Sequence, residues 1–255
     1  MFHRFSGSAD APPVLLLHGG GVAGWMWDPV RDRLERNHLV LIPDLPGHDR
    51  SAEMPYVSHA DTVAQLAQLL EATVPGRTAT VIGFSLGAQL AILLAAHHPD
   101  LVSRAVVVSA QVEPLPFTPL TLAALRLSAP LARRRWFARA QARQLRIPSH
   151  LMADYLRTSA ALTAPSLVAA VGENLRFRLP AAWSSFPGRA LVMVGAREPR
   201  VMLASAASIH DALPGSHRDI VEGCGHGIPL ERPEWFADHV TEWLGRSRRG
   251  RSAPR

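Results

Sequence analysis

The sequence predicts one α/β domain, a mostly parallel central sheet with helices on both faces and a helical cap inserted near the middle. Three observations carry this. Short apolar runs recur between helix-like stretches, a Gly-x-Ser-x-Gly pentapeptide joins one such run to a helix pattern, and the strand rhythm stops between Gln111 and Pro187. Runs that are apolar on both faces suit a parallel sheet buried under helices. With 255 residues and 47% hydrophobic content, the chain can bury a full core without a second domain.

Strands are expected at 14–17, 39–42, 79–82, 105–108, 190–194 and 219–221, and helices at 29–36, 59–72, 86–97, 202–213 and 233–243. Asp28 and Ser58 are the candidate N-caps, because a short polar side chain can accept from the first free helical N–H groups. The core is expected to span 1–110 and 188–245, the cap 111–187, and a basic tail 246–255. The tail holds five arginines and nothing apolar to bury, so it is expected to be disordered.

Gly83-Phe84-Ser85-Leu86-Gly87 follows Ala79-Thr80-Val81-Ile82 and opens the helix pattern that runs to His98. A serine hydroxyl is a weak nucleophile until a bent backbone points its Oγ into a cleft beside a base and an oxyanion site. Glycines two before and two after the serine permit that bend, and the strand–turn–helix setting is that of a nucleophile elbow. Val14-Leu15-Leu16-Leu17 leads into His18-Gly19-Gly20-Gly21, a loop able to aim N–H groups at a ligand, with His18 shaping it. Ala190 to Gly195 ends in Ala196-Arg197-Glu198, and Asp219-Ile220-Val221 gives way to Gly223-Cys224-Gly225-His226-Gly227. Serine, carboxylate, histidine is the chain order of one serine hydrolase architecture. All these groups fall at strand carboxyl ends, where open α/β sheets bind ligands.

With these residues in place the chain resembles the α/β-hydrolase superfamily from Pro13 to Leu244. The resemblance also rests on Leu41-Ile42-Pro43-Asp44-Leu45-Pro46-Gly47-His48 and on Glu231-Arg232-Pro233-Glu234 after the histidine loop. It implies Ser85 as nucleophile, His226 as general base and then acid, and Gly20 with Leu86 as backbone oxyanion donors. The triad acid is assigned to Glu198, whose carboxylate would accept the Nδ1 proton of His226, with Glu113 as the rival after the preceding strand. Two positions depart from the family pattern. Asp49 stands where a second glycine is usual after His48, and Glu198 stands where aspartate is commoner.

The activity this implies is hydrolysis of a small carboxylic ester or related acyl compound through an acyl-enzyme, with no cofactor and no metal. Carbon–carbon bond hydrolases, lactonases and thioesterases also keep the serine, and some relatives are ligand-sensing signalling proteins with little turnover. Trp136, Phe137, Leu145, Met152, Tyr155, Leu156 and Leu162 are candidates to line a substrate pocket under the cap or to form the cap's own core. Arg135, Arg139 and Arg143 share one helical face, read as a solvated stripe. His97, His98, His210 and His239 read as structural.

The net charge of +6 is unevenly spread. Residues 111–187 hold ten arginines against Glu113, Asp154 and Glu173, so a basic cap and tail sit on an acidic core. There is no lysine, which reads as composition and not as a phosphate or nucleic-acid site, and no nucleic-acid partner is expected. Cys224 is the single cysteine, so no intrachain disulfide can form, and it reads as a small residue in a tight loop. No signal-like or membrane-length apolar run is found, so a cytoplasmic protein is expected. Nothing in the sequence fixes an oligomeric state.

Overall fold

The computed structural model describes residues 1–114, 118–129, 131, 134–145 and 147–246. Seven strands form one sheet: β1 (His3–Ser6), β2 (Pro13–Leu17), β3 (Leu39–Pro43), β4 (Ala79–Phe84), β5 (Val102–Val108), β6 (Arg189–Gly195) and β7 (His217–Val221). Their order is β1-β3-β2-β4-β5-β6-β7, with β1 antiparallel to β3 and every other pair parallel. The chain runs from β2 outward to β3 and then returns to place β4 on the other side of β2. That reversal opens a crevice at the carboxyl ends of β2 and β4, where the His18 loop and Ser85 lie.

Alternation along the strands builds a core on each side of the sheet. Leu15, Leu17, Val81, Val107 and Val192 face the helices α2 (His59–Thr73), α3 (Leu86–His97) and α8 (Arg200–Asp211). Val14, Leu16, Ile82, Val106 and Leu191 face α1 (Asp28–Leu34) and α10 (Pro233–Gly245), with Phe236 and Trp243 filling that layer. A short helix, α9 (Ile228–Glu231), precedes α10. Ser58 caps α2 by accepting from the Asp61 N–H at 3.0 Å. Asp28, by contrast, is no cap. A 3₁₀ turn at Gly24–Trp27 runs straight into α1, Asp28 becomes its first residue, and its carboxylate pairs with Arg4 and Arg31.

Between β5 and β6 lie α4 (Thr118–Ser128), α5 (Arg135–Gln144), α6 (Met152–Ala161) and α7 (Ala164–Arg176). Polar contacts seat this insertion on the core. Trp25 Nε1 donates to Thr158 Oγ1 at 2.9 Å, the His59 N–H donates to Glu173 at 2.9 Å, and the Gln89 amide exchanges hydrogen bonds with Asn174. The stripe of Arg135, Arg139 and Arg143 is exposed, opposite buried Ala138 and Ala142. Apart from Arg246, the basic tail lies outside the described residues. No helix among the described residues is long and apolar enough to cross a membrane.

Candidate active site

Ser85 links β4 to α3 at φ 53° and ψ −113°, a backbone region that L-residues avoid. The turn closes because its glycines lack side chains. A Cβ on Gly83 would lie 2.1 Å from the Gly87 carbonyl oxygen, and one on Gly87 would lie 2.2 Å from that of Leu17. Any other residue at either position would push α3 away from the sheet. Strain of this kind persists only where the surroundings enforce it, and here β5 helps by accepting the Ser85 N–H at Val108 at 2.9 Å.

The loops after β6 and β7 are stitched together, since the Ala196 N–H donates to Val221 and the Arg197 N–H to Cys224, each at 3.0 Å. This brings Glu198 against His226. Nδ1 of His226 meets Glu198 Oε2 at 2.7 Å, and Nε2 meets Ser85 Oγ at 3.1 Å. With Nδ1–H donating to the carboxylate, the Nε2 lone pair faces the serine hydroxyl. The Glu198 side chain is 0% exposed, and its other oxygen accepts from Ser109 Oγ at 2.7 Å and from the Gly195 N–H at 2.9 Å. Burial pushes its pKa up. The bond to His226, its charge, and the donors Ser109 and Gly195 outweigh that, holding the carboxyl below its usual range. Glu113 lies elsewhere, accepting from Ser208 Oγ at 2.6 Å.

Two further histidines shape the opposite wall. His18 Nδ1–H donates to the Gly19 carbonyl at 2.8 Å while Nε2 accepts the Leu45 N–H at 2.9 Å. His48 Nδ1–H donates to Pro46 at 2.9 Å and Nε2 accepts the Gly21 N–H at 3.3 Å. Burial lowers the pKa of His18 to about 4, and burial together with His18 lowers that of His48 to about 3. Both are neutral near pH 7, as these bonds require. Among the described residues the N–H groups of Gly20 and Leu86 donate to no protein acceptor. The two residues adjoin, for a Cβ on Gly20 would lie 3.9 Å from Leu86 Cβ.

Ser85 and Gly20 border two cavities of about 290 Å³ each. One is also lined by Leu86, His48, residues of α4–α7 including Tyr155, and Leu162 between α6 and α7; the other by His226, Phe84, Arg197 and Glu231, with Leu145 shared. Of the candidate lining residues, Leu145, Tyr155 and Leu162 border these cavities, whereas Met152 and Leu156 pack against the core. Trp136 is 64% exposed, edge-on to Phe137. Cys224 is buried, and burial raises its thiol pKa, which suits an inert packing residue. Among the described residues no group of three His, Cys, Asp or Glu could hold a metal.

Sequence reasoning missed Ser109 and His48. Ser109 directly follows the apolar run of β5, and a small hydroxyl residue there was the available signal. His48 stands in the segment that carried the resemblance and differs from an ordinary loop histidine only by burial.

Fold and site together define an α/β protein holding serine, histidine and carboxylate in one hydrogen-bonded line at the carboxyl edge of a parallel sheet. The chain belongs to the alpha/beta hydrolase family, whose profile matches residues 14–239. An uncharacterised protein of Mycobacterium tuberculosis is 28% identical over 94% of this chain and 77% of its own length. A pimeloyl-[acyl-carrier protein] methyl ester esterase of Vibrio atlanticus is 39% identical over 40% of this chain and 38% of its own. In fold the chain is similar to an esterase from Exiguobacterium antarcticum, with TM-score 0.83 and 18% identity over 96% of this chain and 95% of that one. It is also similar to the enol-lactonase of Burkholderia xenovorans, with TM-score 0.78 and 21% identity over 96% of each.

Proposed function

We propose that the chain is a serine hydrolase acting on a small carboxylic ester, or a related acyl compound, through an acyl-enzyme. The observation that carries this reading is the unbroken line from Ser85 Oγ through His226 to the buried Glu198 carboxylate. Ser85 attacks the acyl carbon and passes its proton to Nε2 of His226, while Glu198 stabilises the imidazolium. The oxyanion is held by the free N–H groups of Gly20 and Leu86, the second at the start of α3 where the helix dipole assists. His226 then protonates the departing oxygen. Water, deprotonated by the same nitrogen, releases the acid.

Helices α4–α7 act as the cap, and substrate choice rests with the cavities they help to line. The cavity bordered by Leu125, Tyr155 and Leu162 measures about 290 Å³, near the lower end of ligand-site sizes. The test is burst and steady-state release of p-nitrophenol from esters of graded acyl length. Ser85→Ala is expected to abolish the burst and lower kcat by on the order of 10⁶-fold. Release of equal size in the variant would overturn the reading.

A further inference from the structure

Ser85 stands between two chambers whose described lining residues differ in charge. That on the Leu86 side meets its contents with Leu125, Leu162, Leu167 and Val171 and with the neutral groups of Gln141 and Tyr155. Its one histidine, His48, is neutral. That on the His226 side is bordered, among the described residues, by the basic Arg197 and the acidic Glu231. The Glu231 carboxylate is turned onto the Gly225 N–H at 3.4 Å. Arg197 is exposed and forms no ion pair among the described residues.

The chemistry orients a substrate across the two chambers. The acyl oxygen must point to the N–H groups of Gly20 and Leu86, and the acyl chain, turned away from the departing oxygen at His226, runs into the Leu86 chamber. The departing oxygen must reach His226 Nε2 to take up its proton, so whatever it carries runs into the His226 chamber. Resting on the serine-hydrolase reading, we propose that the preferred substrate joins an uncharged, largely apolar acyl group to a leaving group bearing an oxyanion, held by Arg197. A carboxylate and a phosphate share the required geometry, since a guanidinium grips either with two parallel hydrogen bonds. On turnover Ser85 Oγ bonds to the acyl carbon as the bond to the leaving oxygen breaks, that oxygen takes from His226 the proton given up by Ser85, and water then hydrolyses the acyl-enzyme to free the acid and restore Ser85.

The test compares four octanoyl aryl esters: phenyl, 3-carboxyphenyl, 3-phosphophenyl and 3-trimethylammoniophenyl. Each kcat/KM is divided by that ester's own alkaline hydrolysis rate to remove leaving-group reactivity. One or both anionic esters are expected to exceed the phenyl ester by about tenfold, the difference between them identifying the oxyanion. The preference should weaken with added salt. Arg197→Gln is expected to erase the ratio and Arg197→Lys to keep part of it. Because the ratio is taken within one variant, damage to neighbouring Glu198 cancels. Equal normalised rates, or a cationic ester preferred through Glu231, would overturn the inference while Ser85-dependent turnover left the hydrolase reading intact. No Ser85-dependent release from any of the four would overturn both.

Discussion

Ser109 Oγ donates to Glu198 Oε1 at 2.7 Å from a backbone at φ 55°. The neighbouring strands β4 and β5 thus each end at a serine with positive φ, and the two hydroxyls bracket the His226–Glu198 pair from opposite ends. Removing the Ser109 hydroxyl leaves a buried carboxylate with one donor fewer and raises the pKa of Glu198. Ser109→Ala is expected to lower kcat about tenfold, with activity on the acid side failing at higher pH than in the native chain. Ser109→Gly separates the two contributions. It relieves backbone strain of about 1 kcal/mol yet loses the same hydrogen bond, so its pH profile should match that of Ser109→Ala. Unmoved pH profiles in both variants would assign Ser109 to packing alone.

The choice between the two candidate acids is open to a direct comparison. Glu198→Gln keeps the side-chain volume but loses the charge that fixes the His226 tautomer, and kcat is expected to fall by about 10⁴-fold. Glu113→Gln alters the hydrogen bond from Ser208, near the end of α8, and kcat is expected to stay within about twofold. Reversed sizes in kinetic assays of the two variants would move the acid to Glu113.

Buried neutral histidines make stability depend on pH in a known direction. His18 binds its proton at about pH 4 in the folded chain and near 6.5 when unfolded. Between those values the unfolded chain takes up a proton that the folded chain refuses, so stability falls on acidification, by about 3 kcal/mol for His18 alone. His48, lowered to about 3, acts with the same sign over a wider window. Glu198, held below its usual value of 4.5, adds its loss only at lower pH, below that value. Urea midpoints measured from pH 7.5 to 4.5 should therefore decline steadily. His18→Gln, which keeps an acceptor for the Leu45 N–H, should flatten that decline.

What could be read from the sequence was set by whether a local pattern carried the physics. The five inner strands are legible because burial on both faces leaves unbroken apolar runs, whereas β7, at one edge with Ile220 49% exposed, is legible only as Asp219-Ile220-Val221. The other edge strand, β1, is not legible, because His3-Arg4-Phe5-Ser6 has no such run and Phe5 is 69% exposed. Asp28 misled as a cap because the 3₁₀ turn before it already continues into the helix. Ser85, Glu198 and His226 were singled out because their glycine-rich or strand-end settings are local. Ser109 and His48 act through partners distant in sequence, and Trp136 shows that an aromatic on an amphipathic helix need not face the site. The helical insertion was legible only as a break in rhythm, since its packing rests on pairs such as Trp25 with Thr158 that no spacing reveals.

Asp49, the departure from the family's usual glycine, has a partner of this distant kind. Its side chain is 6% exposed and accepts from Arg157 Nε at 3.1 Å and Nη2 at 2.9 Å, joining the loop after β3 to α6. Helix α6 also carries Tyr155 and Ser159, which line the Leu86-side chamber. The pair is half open to water, so its share of global stability is about 1 kcal/mol or less. Its effect should instead appear in how firmly α6 is held over the chamber. Arg157→Gln strands a buried carboxylate and is expected to raise KM about fivefold, whereas Asp49→Asn leaves the guanidinium paired with Asp154 Oδ1 at 2.5 Å and should raise it about twofold. In a double-mutant cycle on KM the combined variant should resemble Arg157→Gln rather than the product of the two single effects. Independent, multiplying effects would mean that Asp49 acts through its backbone at φ 39° and not through the ion pair.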